Sequence, residues 1–479
     1  MGSTREKNLL RNTAILSIGT FVPKAFSFII TPLLTGNLTK EEYGHYDLIM
    51  TLVSLLLPAI TLQITTAAFR FLIDARNDEK EMRGIISNIY LFITITTTVA
   101  ASLFYFLYGY KLGINGAFVC LYFVVNMYLQ ATQQIMRGLG KNYVYSISSI
   151  INSGVNVILL VVLIGGYFFN NIGLTGVIIS MLLSELVATM FLIVFGNIKS
   201  YITFNEFSKT TIKRMLSYSW PMVPNNLSGW VLRLSDRLVI TYFLGVESNA
   251  IYAVANKFPA LITSLQSVLI YAWQENASLA ASDNDKDSYY SKMCNDLFYI
   301  FVGFVSVLIA ITPLIWKILI RGDYTEAYYQ MPVLYLGIFF SSMSSIIGGI
   351  YIAHKRTKNV GITTMFAAAI NLIIDLGFVN VIGIWAGSIS TMVSYLILLV
   401  YRMINVQQFQ RVSFKIKNIL IGLFFIIIMS ILSMQKTLIM DAINVGIAII
   451  VLILFDRQFI LAFLNKIRGR RVGENETFN

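Results

Sequence analysis

Charge, histidine and cysteine are scarce in this chain, and each shortage excludes a class of function. Only 13% of the 479 residues are Asp, Glu, Lys or Arg, against roughly 25% in ordinary soluble domains; the composition is that of an integral membrane protein. Two histidines, His45 and His354, and two cysteines, Cys120 and Cys294, are too few for a tetrahedral metal site, a Cys/His nucleophile pair or a disulfide framework. His354 stands beside Lys355 and Arg356, where a residue at headgroup level is expected. No GxxxxGK[ST] phosphate loop occurs: "GLGKN" at 138–142 lacks the first glycine at the right spacing and the hydroxyl after the lysine. Neither ATP as an internal energy source nor a cofactor nor a metal is expected.

What is abundant is apolar surface, with 56% hydrophobic residues and a mean hydropathy of +0.71. A helical span needs about 20 apolar residues. On that rule 14 spans are expected, near 12–34, 45–69, 84–108, 113–136, 144–168, 172–196, 217–243, 250–274, 295–320, 331–353, 360–382, 384–405, 418–434 and 438–460. The first follows Arg5, Lys7 and Arg11 and superficially resembles a signal peptide, but it runs too long and lacks a small-residue cleavage site.

The net charge of +12 does not form a long basic arm, so nucleic acid is not an expected partner. Short cytoplasmic loops hold the excess of Lys and Arg. With the N-terminus inside, 27 of the 36 basic residues fall in inner segments, Arg402 counted among them, and only Lys40, Lys111, Arg321 and Lys436 fall outside. Losing or adding one span in mid-chain would destroy that asymmetry. Both termini are therefore expected in the cytoplasm.

An internal repeat is visible. "LLTGNLTKEEYGHY" (33–46) aligns with "YFLGVESNAIYAVA" (242–255), matching Gly36 to Gly245 and Tyr43 to Tyr252. Further on, "NIGLTGVIIS" (171–180) resembles "VIGIWAGSIS" (381–390), with Gly176 against Gly387. Each repeat holds six spans, an even number, so both halves insert in the same sense. The expected domains are residues 1–198, residues 199–416, and residues 417–479 with the last two spans and a basic cytoplasmic tail. This is transporter architecture, with a substrate path expected between the halves. The outer loops, about ten residues or shorter, offer no acidic platform for a membrane transferase, and no enzyme is expected.

Five basic residues fall inside spans: Lys24, Arg233, Arg237, Lys257 and Lys317. A charge at mid-bilayer costs at least ~2.5–3.5 kcal/mol and is a functional-site hypothesis by default. The repeat offset carries Lys24 onto Arg233, and Arg237 lies one helical turn beyond. Lys24, Arg233, Arg237 and Lys257 thus form a candidate basic stripe along a cavity. Alternatives are a local ion pair of Asp236 with the arginines, and snorkelling of Lys24 or Lys257. Four acids, Asp236, Glu185, Asp375 and Asp47, are candidates for binding a coupling H⁺ or Na⁺; hydrogen bonding to a neighbouring helix is the alternative for Glu185 and Asp375, and an interfacial position for Asp47. All eight prolines lie in or at the ends of spans, where they permit kinks.

These residues also carry a resemblance. "LLRNTAILSIGTFVPKAFSFIITPLLTGNLTKEEYGHYDL", the central "LSYSWPMVPNNLSGWVLRLSDRLVITYFLG" and "AIYAVANKFPAL" resemble Wzx-type polysaccharide flippases, in the superfamily of the MATE multidrug exporters and the lipid II flippase. The resemblance implies two six-helix bundles forming a V-shaped cavity, with two extra C-terminal helices. It implies a bacterial inner-membrane protein, expected to be a monomer, that carries an undecaprenyl-pyrophosphate-linked oligosaccharide for O-antigen or capsule synthesis. The lipid-linked oligosaccharide, membrane lipids and a downstream polysaccharide polymerase are the implied partners. The rival reading is a MATE-like cation-coupled drug antiporter.

Overall fold

In hydrocarbon the backbone finds no partner but its own chain, so long apolar runs become helices. The computed structural model describes residues 2–107, 109–166, 172–203 and 206–457, and among these there is no strand. The basic tail expected beyond Arg457 lies outside them. The helices are α1 (Gly2–Asn37), α2 (Lys40–Ile60), α3 (Ile64–Asp74), α4 (Glu79–Leu107), α5 (Ile114–Gly138), α6 (Asn142–Leu163), α7 (Gly173–Phe195), α8 (Lys209–Ser219), α9 (Met222–Leu244), α10 (Val246–Ala255), α11 (Pro259–Leu279), α12 (Lys286–Leu319), α13 (Thr325–Ala353), α14 (Thr357–Ile382), α15 (Trp385–Val406), α16 (Ile416–Ser433) and α17 (Leu438–Val451). A π-turn, Leu452–Asp456, continues α17.

Twelve of these helices are long and apolar enough to cross a membrane. Expected spans 7 and 8 correspond to α9 and α11, whose 23 and 21 residues suffice in length. Polar side chains, including Arg233, Asp236 and Arg237 on α9, keep these two out of the apolar set.

Three expected spans are interrupted, each beside a proline. The span expected over 45–69 ends at Ile60, after Pro58, and Leu62 and Gln63 adopt left-handed φ of 47° and 58° before α3 begins. Span 7 breaks between α8 and α9 at Pro221, and span 8 between α10 and α11 ahead of Pro259. Lys257 therefore sits in a connecting turn rather than within a continuous span.

The chain divides into two compact units: Met1–Trp230 with Gly245–Ala250 and Leu319–Gly322, and Val231–Leu244 with Ile251–Ile318 and Asp323–Asn479. In the first unit α6 packs on α1 and α7, and α5 packs on α3, α4 and α7. Glu42 joins two helix starts there: Oε2 accepts from the Thr39 amide at 3.0 Å in a capping box, and Oε1 accepts from the Leu174 amide at 3.1 Å. Gly173, with φ of 55°, lets that carboxylate approach; a Cβ there would stand 1.9 Å from Oε1. In the second unit α13 packs on α11 and α15, α14 packs on α15, and α16 packs on α13 and α17. Lys436, in the turn before α17, stands over the rings of Trp316, Tyr328 and Tyr329 at 6.0, 4.5 and 4.5 Å.

The two halves repeat one local device. On α4, Asn88 donates Nδ2 to the Gly84 and Glu206 carbonyls at 2.7 and 3.0 Å, and its Oδ1 accepts from the Ser208 amide at 2.9 Å. On α12, Asn295 donates Nδ2 to the Ser291 and Ser413 carbonyls at 2.6 and 2.9 Å, and its Oδ1 accepts from the Lys415 amide at 2.9 Å. Each amide satisfies the backbone of the connecting segment that follows the sixth expected span of its half.

Candidate functional site

The stretch "VLRLSDRLVI" (231–240) turns one face of α9 inward. Leu232, Ser235, Val239 and Ile240 are buried there, and Asp236, within that face, is only 1% exposed. Arg233 is exposed and Arg237 half-buried. Four-residue spacing puts the arginines on a common face, while Asp236 is drawn into the helix packing.

Asp236 is met by donors from two other helices. Tyr252 on α10 donates its hydroxyl to Oδ2 at 2.6 Å, and Thr391 on α15 donates to the same oxygen at 2.7 Å. Oδ2 is thus held by neutral hydroxyls from two neighbouring helices. Tyr252 is held by close packing, since a Cβ at Gly387 would lie 3.0 Å from its ring. Asp375 on α14, also 1% exposed, lies beside Asp236. Both Asp375 oxygens and Oδ1 of Asp236 are buried, and the groups facing Asp375 are the Asp236 carboxyl and the Ser390 hydroxyl. The nearby Ser390 hydroxyl is committed to the Gly387 carbonyl at 3.0 Å while accepting from Asn371 Nδ2, and Asn371 Oδ1 accepts from Ser235.

Two carboxyl groups this deep and this close cannot both be charged unless a proton or a cation compensates. The oxygens of Asp236, Asp375, Asn371 and Thr391 are hard donors of the kind that small cations take. Among the described residues, no three His, Cys, Asp or Glu side chains come together to hold a metal ion.

In the first unit, Lys24 follows Pro23 inside α1 and is exposed. Glu185 on α7, 7% exposed, accepts at Oε1 from Asn126 Nδ2 of α5 at 2.8 Å, while Oε2 has no donor. Asp47, near the start of α2, is 4% exposed; Asn249 donates to its Oδ2 at 3.3 Å.

Sequence reasoning missed the neutral partners. Asn371 and Asp375 stand four apart on α14, and Tyr252 was already matched by the repeat, so both carried a signal. Thr391 and Asn126 carried none. Arg402 was counted with an inner loop but lies in α15, 4% exposed. Its guanidinium donates to the Ser344 carbonyl at 2.9 Å, to the Val360 carbonyl at 3.3 Å, and to the hydroxyls of Thr363 and Thr364 at 3.0 and 3.1 Å. His354 caps α13, its Nδ1 3.0 Å from the Ile350 carbonyl, with its ring against Tyr290 and Phe409.

Solved structures share this fold. An inward-facing multidrug resistance MATE family transporter of the MOP superfamily matches with a TM-score of 0.69 at 14% identity, over 83% of this chain and 98% of the other. The lipid II flippase MurJ, in an inward closed conformation, matches with a TM-score of 0.73 at 17% identity, over 94% of this chain and all of the other. A MOP superfamily transporter from Pyrococcus furiosus, for which a reverse polarity of the binding pocket suggests a different function, matches with a TM-score of 0.56 at 17% identity, over 83% and 95%. No curated relative matches the sequence. The profile of a family described as "Polysaccharide biosynthesis protein" matches residues 9–274, more than half of the chain. A multi-pass helical membrane protein with the MATE and MurJ fold, this chain belongs to the polysaccharide biosynthesis protein family.

Proposed function

We propose that the chain is a flippase. It moves an undecaprenyl-pyrophosphate-linked oligosaccharide from the cytoplasmic to the outer leaflet of a bacterial inner membrane, by alternating access of two six-helix halves, with both termini cytoplasmic. The carrying observation is the sorting of charge on the helices: Lys24 and Arg233 are exposed, whereas Asp236, Asp375 and Glu185 are withdrawn into packing. A pyrophosphate is a strong anion. Arginine clamps its oxygens through paired hydrogen bonds, and lysine acts as a point charge. Lys24, Arg233 and Arg237, with Lys257, are the proposed head-group ligands. The lipid tail stays in the bilayer, where α16 and α17 offer it a groove, and a polysaccharide polymerase receives the product. The protein works as a monomer.

In this scheme Asp236 and Asp375 bind the coupling ion, H⁺ or Na⁺. Both carboxyls are buried beside each other, and a proton or small cation would compensate their charge. A drug antiporter would need the opposite sorting, with carboxylates exposed to cationic substrates.

The test replaces Lys24 and Arg233 singly by Ala and follows translocation of lipid-linked oligosaccharide in inverted membrane vesicles. Transport should fall at least tenfold in each variant. Full transport in both overturns the cationic head-group site, and drug efflux without lipid transport establishes the antiporter instead.

A further inference from the structure

Glu185 is buried in the first unit, where, among the described residues, Asn126 and Tyr122 are the side chains that meet its carboxyl. Asn126 Nδ2 satisfies Oε1 at 2.8 Å, and the Asn126 carbonyl oxygen faces Gln130 Nε2 at 3.4 Å, which fixes the amide with its donor toward the acid. Oε2 is left with no donor. One donor does stand beside it: the Tyr122 hydroxyl, from the same helix as Asn126 and one turn before it. That hydroxyl also reaches Met50 Sδ on α2, at 3.4 Å. A thioether is a weak acceptor. The hydroxyl thus stands between a weak acceptor on α2 and a carboxyl on α7, and can turn its hydrogen to either.

We propose that Glu185 is a proton-binding site and that the Tyr122 hydroxyl is its switch. With the proton on Oε2, the acid donates toward the Tyr122 oxygen, and the Tyr122 hydrogen points to Met50, tying α5 to α2. When the proton leaves, Oε2 becomes an anion with one buried lone-pair site open. The Tyr122 hydroxyl then rotates to donate to it, tying α5 to α7 and releasing α2. α5 stays joined to α7 through Asn126 in both states, and the proton decides whether it also holds α2. The oxygen donors are too few for a metal ion, since Asn126 presents its amide hydrogens and no other acid adjoins.

The groups that could compete are few. On α2 the ionisable side chains lie between Lys40 and Asp47, and of these Tyr46 reaches the Tyr122 hydroxyl. On α5 they are Tyr122, Tyr128, which is engaged with Thr94, Cys120, and Arg137 in the last turn over Phe69. On α6 there are only Tyr143 and Tyr145, in the first turn, and Glu185 is the one charged residue of α7. Among the described residues, no cation acts on Glu185.

The role of this proton in a transport cycle rests on the flippase proposal above, but the proton itself does not, so it is read directly. The full-length protein in lipid vesicles is titrated by pH-difference infrared spectroscopy, following the carbonyl band of protonated carboxyl groups. Glu185→Gln, nearly isosteric, should delete one titrating band. Tyr122→Phe removes the hydroxyl that stabilises the anion and should move that band's midpoint upward by about one pH unit, the worth of one charge-assisted hydrogen bond. A band pattern unchanged by Glu185→Gln, or a Tyr122→Phe titration superimposable on the wild type, overturns the site. If Glu185→Gln does not fold, the Tyr122→Phe midpoint decides alone. Failure of oligosaccharide transport would leave both spectra unaffected, so the two proposals fail separately.

Discussion

Tyr252 and Asp236 are joined by a 2.6 Å hydrogen bond between α10 and α9, inside a unit where neither side chain meets solvent. The tyrosine comes from the internal repeat and the acid from the arginine stretch, so the bond connects the two most informative segments of the sequence. Removing the hydroxyl by Tyr252→Phe leaves Oδ2 with Thr391 alone. The expected cost is about 1–3 kcal/mol, seen as a lowered melting temperature in detergent, together with a changed pH or Na⁺ response of transport. A variant with wild-type stability and response would show the bond to be dispensable.

Asp236 and Asp375 should behave as one unit. Asp236→Asn and Asp375→Asn are each expected to abolish the ion response of transport, and the double variant should be no worse than either single one. Residues that share one bound ion are non-additive. Additive losses across that cycle would mean the two acids act independently.

Arginine and lysine are not interchangeable where oxygens are clamped in pairs. Arg233→Lys is therefore expected to keep the charge yet lose several-fold in oligosaccharide transport, whereas Lys24→Arg should retain most activity. Transport in inverted vesicles checks both. Equal activity of Arg233→Lys and the wild type would reduce Arg233 to a point charge.

Arg402 is buried among carbonyls and hydroxyls of α13 and α14. Arg402→Met removes the shared donor of these neutral acceptors and should cost about 1–3 kcal/mol, seen as less folded protein. Lys in its place has too few donors in the wrong geometry and should not rescue the yield. Fluorescence size-exclusion profiles of the two variants decide this.

The connecting segments held by Asn88 and Asn295 predict a local effect. Asn295→Leu should expose the 411–415 segment to limited proteolysis without altering cleavage near 206–208, and Asn88→Leu should do the reverse. Identical digestion patterns in wild type and variants would show that the backbone there is held by other contacts.

Much of the architecture was legible because hydrocarbon permits so few backbone solutions. Long apolar runs had to be helices, and those at α4 to α7 and α12 to α17 fall where hydropathy puts them. The prolines marked the breaks, but not the left-handed turn at Leu62 and Gln63, which depends on how the chain re-satisfies its backbone after Pro58. The acids of the site were legible as expensive residues in expensive places. Their partners were not, because Thr391 or Asn126 in an apolar run costs little and looks like any small polar residue.

The sequence by itself determined that this is a helical membrane protein with an internal repeat and a few misplaced charges, since burial cost and hydrophobic length are properties of each segment alone. Only the tertiary structure decided that Asp236 meets Tyr252, Thr391 and Asp375. Side-chain direction on a helix is set by whichever neighbouring helix buries that face, and residues that meet only after packing leave no trace in local composition.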